Sequence, residues 1–501
     1  MKFGLEQNTI DKLITVFEQN SKVDKAFIFG SRAKGNYRPD SDIDIVIKGQ
    51  SITTDDVIAM SIAFEEKGIM HKIDLLNYDT INEPALKDHI DRVGIELYSR
   101  WKEYKLGDIA NITSSKRIFF SDYVTSGIPF YRSKEIIEKA QGDNISIDLF
   151  ITKEKYYEIK DKYGAPQNGD ILISAVGERA GIPYCVNNDG DFYFKDGNII
   201  WFRNFNLEIS SKFLVYYFNS SIGQQRLEST MIGSAQKALT IIGLKNLEVA
   251  FPPIEEQTAI ASILTCLDNK IDLLNLQNKT LEQLTETLFR SYFPMINEEN
   301  NYIELGTYVE CINGVSYKSS ELNPSKVGMV SLKSFDRNGG FSIDGFKEFT
   351  GKFKEKQIVV EGDLIVAHTD ITQDAEVIGN PALVLDNPNF ETMTISMDIV
   401  KVISKVDWIS IEFLYFLMKT REFKSHCEGC ANGSTVLHLN KQAIPTFEFP
   451  EPNKNNVADF TTQAKEIVNK IFLNHRQLRI LVKTRDTLLP KLMSGDVRIE
   501  I

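Results

Sequence analysis

Asp42 and Asp44, two carboxylates separated by one residue in the stretch Ser41-Asp42-Ile43-Asp44-Ile45-Val46-Ile47, are the residues whose types and spacing point most directly to chemistry. On a strand, side chains at i and i+2 share a face, so the carboxylates project together while Ile43 and Ile45 face a core. Asp74, in Lys72-Ile73-Asp74-Leu75-Leu76-Asn77, joins them if its strand pairs beside the first. Three acidic groups this close repel one another unless a divalent cation sits between them, and oxygen-only ligands favour Mg2+ or Mn2+. Upstream, Gly30-Ser31-Arg32-Ala33-Lys34-Gly35 follows the strand Lys25-Ala26-Phe27-Ile28-Phe29. A Gly30-Ser31 turn there frees backbone N–H groups for the phosphates of a nucleoside triphosphate, and Arg32 and Lys34 add charge to the cradle.

Gly-Ser, then Asp-x-Asp, then a third Asp on a neighbouring strand is a pattern that resembles the minimal nucleotidyltransferases of the polymerase β superfamily. The resemblance rests on GSRAKGNYRPDSDIDIVI and HKIDLL and covers residues 1–100. It implies that Asp42 and Asp44 bind metal together with the nucleoside triphosphate, that Asp74 helps to activate the attacking hydroxyl, and that two metal ions clamp an in-line displacement at the α-phosphate. The elements expected to position these residues are helices at about 8–20, 59–67 and 83–93, with Glu96-Leu97-Tyr98-Ser99-Arg100-Trp101 leading out of the unit.

Beyond residue 100 the sequence turns aromatic, β-rich and full of turns, and it does so twice. Gly169-Asp170-Ile171-Leu172 maps onto Gly362-Asp363-Leu364-Ile365, and Gly233-Ser234 onto Gly433-Ser434. A repeat of about 200 residues is too long for a solenoid unit and predicts two homologous domains. Each copy runs into a long helix. After Pro252-Pro253, with Glu255 and Glu256 suited to a helix N-terminus, Ile260, Leu267, Leu274, Leu281 and Leu288 recur every seven residues, with Leu264 and Ile271 between them. Near the far end Val457, Phe460, Ala464, Ile467, Ile471, Leu478, Leu481 and Leu488 keep a similar alternation, which predicts an antiparallel helix pair.

This arrangement resembles the specificity subunit of type I restriction-modification enzymes: two target recognition domains held apart by paired helices. FPPIEEQTAIASIL, TLLPKLMSGDVRI, GDILIS, GSAQKAL and the Lys-Leu-Gly-Asp opening of copy one carry the likeness, although copy two has Glu-Leu-Gly-Thr and Glu-Pro-Asn at the matching places. The expected fold is α+β and multidomain: a nucleotidyltransferase domain at 1–100, recognition domains at 101–252 and 301–452, a central helix at 253–295 and a distal helix at 453–501. The resemblance implies double-stranded DNA as ligand, methyltransferase subunits docked on the helices, and restriction or translocase subunits as further partners. Each copy would read one half-site, with the helices setting the gap between them. Polar and basic loop residues are the candidates for DNA contact: Lys116, Arg117, Arg132, Lys134, Arg179, Gln236 and Lys237 in copy one, and Lys318, Lys333, Arg337 and Thr435 in copy two.

Composition bounds these readings. The 501 residues are 42% hydrophobic and 25% charged, as expected of about three globular domains, and a net charge of −12 argues against DNA binding by the whole surface. The N-terminus does not read as a secretory signal, and no run of about 18 apolar residues suggests a membrane span, so a cytoplasmic protein is expected. Five scattered cysteines agree with a reducing compartment; Cys427 and Cys430, after His426, read as free thiols on a loop rather than a metal site. There is no Asp-Pro-Pro-Tyr methyltransferase signature and no GxxxxGK[ST] loop, so methyl transfer, translocation and cleavage are expected from other subunits. The rival reading makes the chain first an enzyme, with its DNA-binding part delivering a nucleotidyltransferase to a protein or nucleic-acid acceptor.

Overall fold

The computed structural model describes residues 2–143, 145–233, 237–295, 301–335, 340–371, 375–433 and 436–499. The chain divides into two compact units, Met1–Cys266 with Arg485–Ile501, and Leu267–Thr484.

The first unit opens with a four-stranded sheet ordered β3-β2-β1-β4, where β1 is Val23–Ile28, β2 Ile43–Gly49, β3 Ile73–Asn77 and β4 Ile95–Ser99. β2 and β3 run parallel, and β1 is antiparallel to both β2 and β4. Ile43, Ile45 and Ile47 are fully buried against Leu13, Phe17 and Phe64 of the helices Gln7–Glu18 and Thr54–Glu66. The second of these helices starts where Thr53 and Asp56 cap each other's backbone N–H groups, an N-terminal signal readable from residue types alone. One expectation is corrected: residues 95–99 do not lead out of the unit but form β4, beside β1.

Both copies of the repeat build the same main sheet. In copy one the spatial order is Pro183–Cys185, Ile171–Ser174, Ile199–Arg203, Asn111–Thr113; in copy two it is Pro381–Leu383, Leu364–Ala367, Ile399–Ser404, Val309–Asn313. The recurrent Gly-Asp is the turn that starts the central strand. Gly169 and Gly362 both have φ near +89°, a conformation that favours glycine. The carboxylates of Asp170 and Asp363 then accept from the backbone N–H of Gln167 (2.9 Å) and Val360 (2.8 Å). Each also accepts from the facing strand, Asp170 from Trp201 Nε1 at 2.8 Å and Asp363 from Lys401 Nζ at 2.7 Å. The second sheets share a parallel pair, Ile128–Tyr131 with Tyr193–Phe194 and Val327–Val330 with Thr392–Ile395. They differ in the stretch before the Gly-Asp turn, which is the helix Lys153–Tyr163 in copy one and ends in the short strand Ile358–Val359, paired with Thr392–Ile395, in copy two.

The long helices run Ile254–Tyr292 and Lys454–Ser494, with Pro490 inside the last turns of the second. Within the first unit Ile260, Ala261 and Leu264 share a core with Leu488, Leu489, Leu492 and Met493. Within the second, Ile271 and Leu274 pack on Leu478, and Phe289 meets Phe460 at 5.3 Å. Contacts in this order make the helices antiparallel, and the heptad seam is real. It also contains polar positions: Asn278, Thr285 and Asn474 are buried. Asn474 Nδ2 donates to Asn278 Oδ1 at 2.7 Å and to Gln277 Oε1 at 2.9 Å, while Asn278 Nδ2 and Asn474 Oδ1 have no partner among the described residues.

In the first unit the sheet and copy one are joined by buried charge. Arg100 meets Glu256 at 3.0 Å and Arg498 meets Asp24 at 2.8 Å, and both guanidinium groups donate to Ser21 O. Gln50 Nε2 donates to Asp496 O at 3.1 Å, so the C-terminal segment after the distal helix lies on the N-terminal domain.

A buried Asn pair fixes register at a cost in stability. Replacing both, Asn278→Leu with Asn474→Leu, should raise the melting temperature. Either single change strands a buried amide and should cost about 1–3 kcal/mol, read from thermal or denaturant unfolding.

Candidate functional site

β2 and β3 bring the acidic residues together because their parallel register places Asp44 directly opposite Asp74. Asp42 lies just before β2, and the three carboxylates share one edge of the sheet. Gly30 stands against them: at φ +67°, a Cβ on it would come within 2.1 Å of Asp44 Oδ2, so only glycine lets the loop approach this closely. The expected Gly30-Ser31 turn is a single helical turn, Gly30–Lys34, closed by Gly35 in the left-handed conformation. Ser31 and Lys34 sit on it, with Lys34 exposed.

Arg32 is a correction. It is buried, its guanidinium donating to Ser41 O, Asp42 O and Phe3 O and lying 5.4 Å from the Tyr37 ring centroid. Four backbone-directed bonds leave it no reach toward a phosphate; it holds the loop that delivers Asp42.

The electrostatics show how crowded the acids are. Burial, then the charges of Asp74 and Asp42, raise the Asp44 pKa above the ordinary Asp value. The cation among them is Lys72, which sequence reading passed over as a strand residue. Its ammonium is 2.9 Å from Asp74 Oδ1 and 3.4 Å from Asp42 Oδ2, and these hydrogen bonds, Asp74's first, raise its own pKa. As the side chains stand, no group of three or more His, Cys, Asp or Glu among the described residues converges on a metal position. The donor set is nevertheless of the kind a hard divalent cation takes, all carboxylate oxygen, and a lysine already lies where positive charge is needed. The fit to a divalent ion is therefore chemical, with Asp42, Asp44 and Asp74 as the residues that would hold it.

The DNA candidates of copy one fall into two groups. Lys116 and Arg117 are exposed on one loop, Lys116 over the Tyr163 ring and Arg117 against Asp196 at 2.8 Å. Arg132 itself is engaged, 2.5 Å from buried Glu135 and 3.4 Å from Asp148, and caps the helix Ser133–Ala140; it serves that helix rather than standing free. Lys134, on the same helix, is exposed near Glu138. Arg179 and Lys237 form the second group: Ser174 Oγ donates to Arg179 O, and Gly177 N–H donates to Lys237 O. In copy two Lys318 and Lys333 are exposed. Gln236, Arg337 and Thr435 lie outside the described residues.

The cysteine pair is also corrected. Cys427 is on the helix Arg421–Gly429 with Cys430 at its C-cap, not on a loop; burial pushes the Cys427 thiol up to about 12, and His426 Nε2 is 2.8 Å from Ala443 O.

A nucleotidyltransferase-like sheet followed by a duplicated β-rich fold with two long antiparallel helices defines the class of protein. Comparison with known proteins agrees. The family described as type I restriction modification DNA specificity domain matches residues 98–283, and the family described as polymerase beta, nucleotidyltransferase matches residues 11–103. The HindI type I restriction enzyme specificity subunit of Haemophilus influenzae is 23% identical over 473 residues, spanning 80% of this chain and all of that one. Another relative from Haemophilus influenzae, also named as a type I restriction enzyme specificity subunit, is 34% identical over 165 residues, where the chain spans 39% of its length. The crystal structure of the type I restriction-modification S subunit from M. genitalium has a TM-score of 0.51 at 16% identity, covering 80% of this chain and 96% of that one, a likeness of fold. The chain carries a type I restriction-modification specificity domain at 98–283 and a nucleotidyltransferase domain at 11–103, and the relatives it resembles are type I specificity subunits.

The acidic cluster yields a prediction. Lys72→Met removes the cation that competes for Asp42 and Asp74, and should strengthen Mn2+ binding severalfold in isothermal titration of the full chain. Because the folded pKa of Asp44 is raised, its ionised form costs stability above the ordinary Asp range, and acidification below that range removes the cost. Asp44→Asn should accordingly raise the melting temperature of the metal-free chain at neutral pH while weakening Mn2+ binding.

Proposed function

We propose that this chain reads a bipartite, asymmetric DNA target, one half-site per repeat copy, for a restriction and modification complex, and that its N-terminal domain transfers a nucleotidyl group from a nucleoside triphosphate. The observation that carries the first part is the identical strand order of the two main sheets, each started by the same Gly-Asp turn. Two like frames with different loops suit two different half-sites. Double-stranded DNA is the ligand, gripped by Lys116, Arg117, Lys134, Arg179 and Lys237 in copy one and by Lys318 and Lys333 in copy two. Methyltransferase subunits docking on the long helices, and restriction or translocase subunits, complete the assembly. Among the described residues no helix is long and apolar enough to cross a membrane.

At the N-terminal domain Asp42 and Asp44 would hold Mg2+ or Mn2+ with the triphosphate. A metal bound there supplies Lewis-acid stabilisation of the charge that builds on the phosphate oxygens. Asp74, opposite Asp44, takes up the proton of the attacking hydroxyl as its oxygen bonds to the α-phosphorus, and the α–β phosphoanhydride bond breaks to release pyrophosphate. Gly30 keeps the loop close without a side chain in the way, Ser31 and Lys34 face the phosphates, and Arg32 keeps the Asp42 loop in place from behind. The parallel register that sets Asp44 opposite Asp74, with Asp42 two residues before Asp44, is the observation that supports this second activity.

Two experiments test these readings. Incubating the full chain with labelled nucleoside triphosphates, Mg2+ and candidate acceptors should give labelling that is lost in Asp42→Ala with Asp44→Ala; no labelling with any triphosphate sinks the transfer activity. Mapping methylated bases in cells carrying the chain and its partner subunits should give a two-part motif. Inserting one heptad into each long helix should widen the gap in that motif by roughly three base pairs, from about 10 Å of added helix, and leave its ends unchanged.

A further inference from the structure

Copy one displays two adjacent aromatic rings that stay largely in solvent, although the Phe120 ring meets the Tyr123 ring edge-on with centroids 6.2 Å apart. Phe119 is 63% exposed and Phe120 91% exposed, although the residue before them, Ile118, is buried in the core with Phe130 and Tyr156 and seats the loop firmly. The turn that carries them is closed by hydrogen bonds at both ends. Phe119 N–H donates to the Asp122 carboxylate at 3.0 Å, and Asp122 N–H donates to Phe119 O at 2.9 Å.

Copy two provides an internal control. Its turn is closed in the same way, Lys318 N–H donating to the Glu321 carboxylate at 2.8 Å and Glu321 N–H to Lys318 O at 2.9 Å. Lys318 and Ser319 stand there in place of the two aromatics. The turn therefore folds with polar residues, and the exposed rings of copy one keep a hydration cost that folding does not offset.

Their surroundings indicate the occupant. Lys116 and Arg117 immediately precede the loop and are exposed, Arg117 at 67% of its side chain. The nearby acids are turned to local use: Asp122 closes the turn and Asp196 holds Arg117 Nε. Cations beside paired apolar rings match a polyanion with stackable bases.

We propose that Phe119 and Phe120 form an aromatic wedge that enters a base step in the half-site read by copy one, while Lys116 and Arg117 grip the phosphates on either side. The inference rests on the DNA-reading function proposed above. It makes the copy-one half-site depend on the ease of unstacking a step as well as on hydrogen bonds to base edges, which favours a flexible pyrimidine–purine step there.

The test uses the full chain assembled with its methyltransferase subunits and a duplex whose sequence is recovered from a random library by the wild-type complex. 2-Aminopurine is placed at each position of the copy-one half-site in turn. Wild type should raise its fluorescence at one step. The chain carrying Phe119→Lys and Phe120→Ser, the residues of the copy-two turn, should lose that rise and bind about tenfold more weakly, the size expected for loss of one or two base–aromatic stacks. An unchanged melting temperature verifies that it is folded, and its library-derived copy-two half-site should be unaltered. The wedge is refuted if no position responds, if the variant keeps the rise, or if the variant holds DNA normally but no longer retains the methyltransferase subunits, which would place the rings against protein. Recovery of no sequence by wild type would instead refute the DNA-reading function, and the wedge with it.

Discussion

An acidic group taken out of water has to be given a partner, and this constraint shapes the chain at each of its organising points. Glu256 is 1% exposed at the start of the central helix and is held by Arg100; Asp24, raised in pKa by burial, is held by Arg498. Removing one partner of such a pair typically costs about 3–5 kcal/mol, because the other charge is left buried alone. The start of β1, the first turn of the central helix and the segment beyond the distal helix are thereby committed to one place. The N-terminal domain is an integral part of its unit rather than a tethered addition.

The same constraint is relaxed where chemistry is expected. Asp42, Asp44 and Asp74 sit together at a sheet edge with one exposed lysine among them, an arrangement that stays short of positive charge. Asp44, whose pKa is raised by burial and by the neighbouring carboxylates, carries a cost that a bound cation would relieve. Arg32 shows how the surroundings are built for this: its buried guanidinium takes no part in the cluster and secures the loop behind it.

Duplication separates what the frame requires from what the surface is free to vary. Asp170 and Asp363 occupy the same turn, yet one is satisfied by an indole N–H and the other by an ammonium, so the position demands a donor and not a particular residue. Around this shared geometry the stretch before the Gly-Asp turn is a helix in one copy and a short strand in the other, and the matching turns present Phe119-Phe120 or Lys318-Ser319. The half-site reading proposed above needs this combination, because two half-sites can differ only if loops change while their supports do not.

Much of this was legible in the chain itself. Period-two and period-seven apolar spacing, Pro252-Pro253, and the repeated Gly-Asp and Gly-Ser pairs are local signals, and they determined the acidic strand, the duplication and the long helices. The strand at 95–99 was missed because its partner, β1, lies far back in sequence, and the polar seam residues Asn278 and Asn474 because apolar periodicity is blind to an amide that finds its partner across a helix pair. Charge at a loop position likewise says nothing of what neutralises it: Arg32 and Arg132 read as free cations and proved to be spent on carbonyls and on Glu135. Residue type and spacing along the chain settled which chemistry was available; only tertiary structure decided which charges are still unspent, because their partners come from strands and turns that sequence order keeps apart.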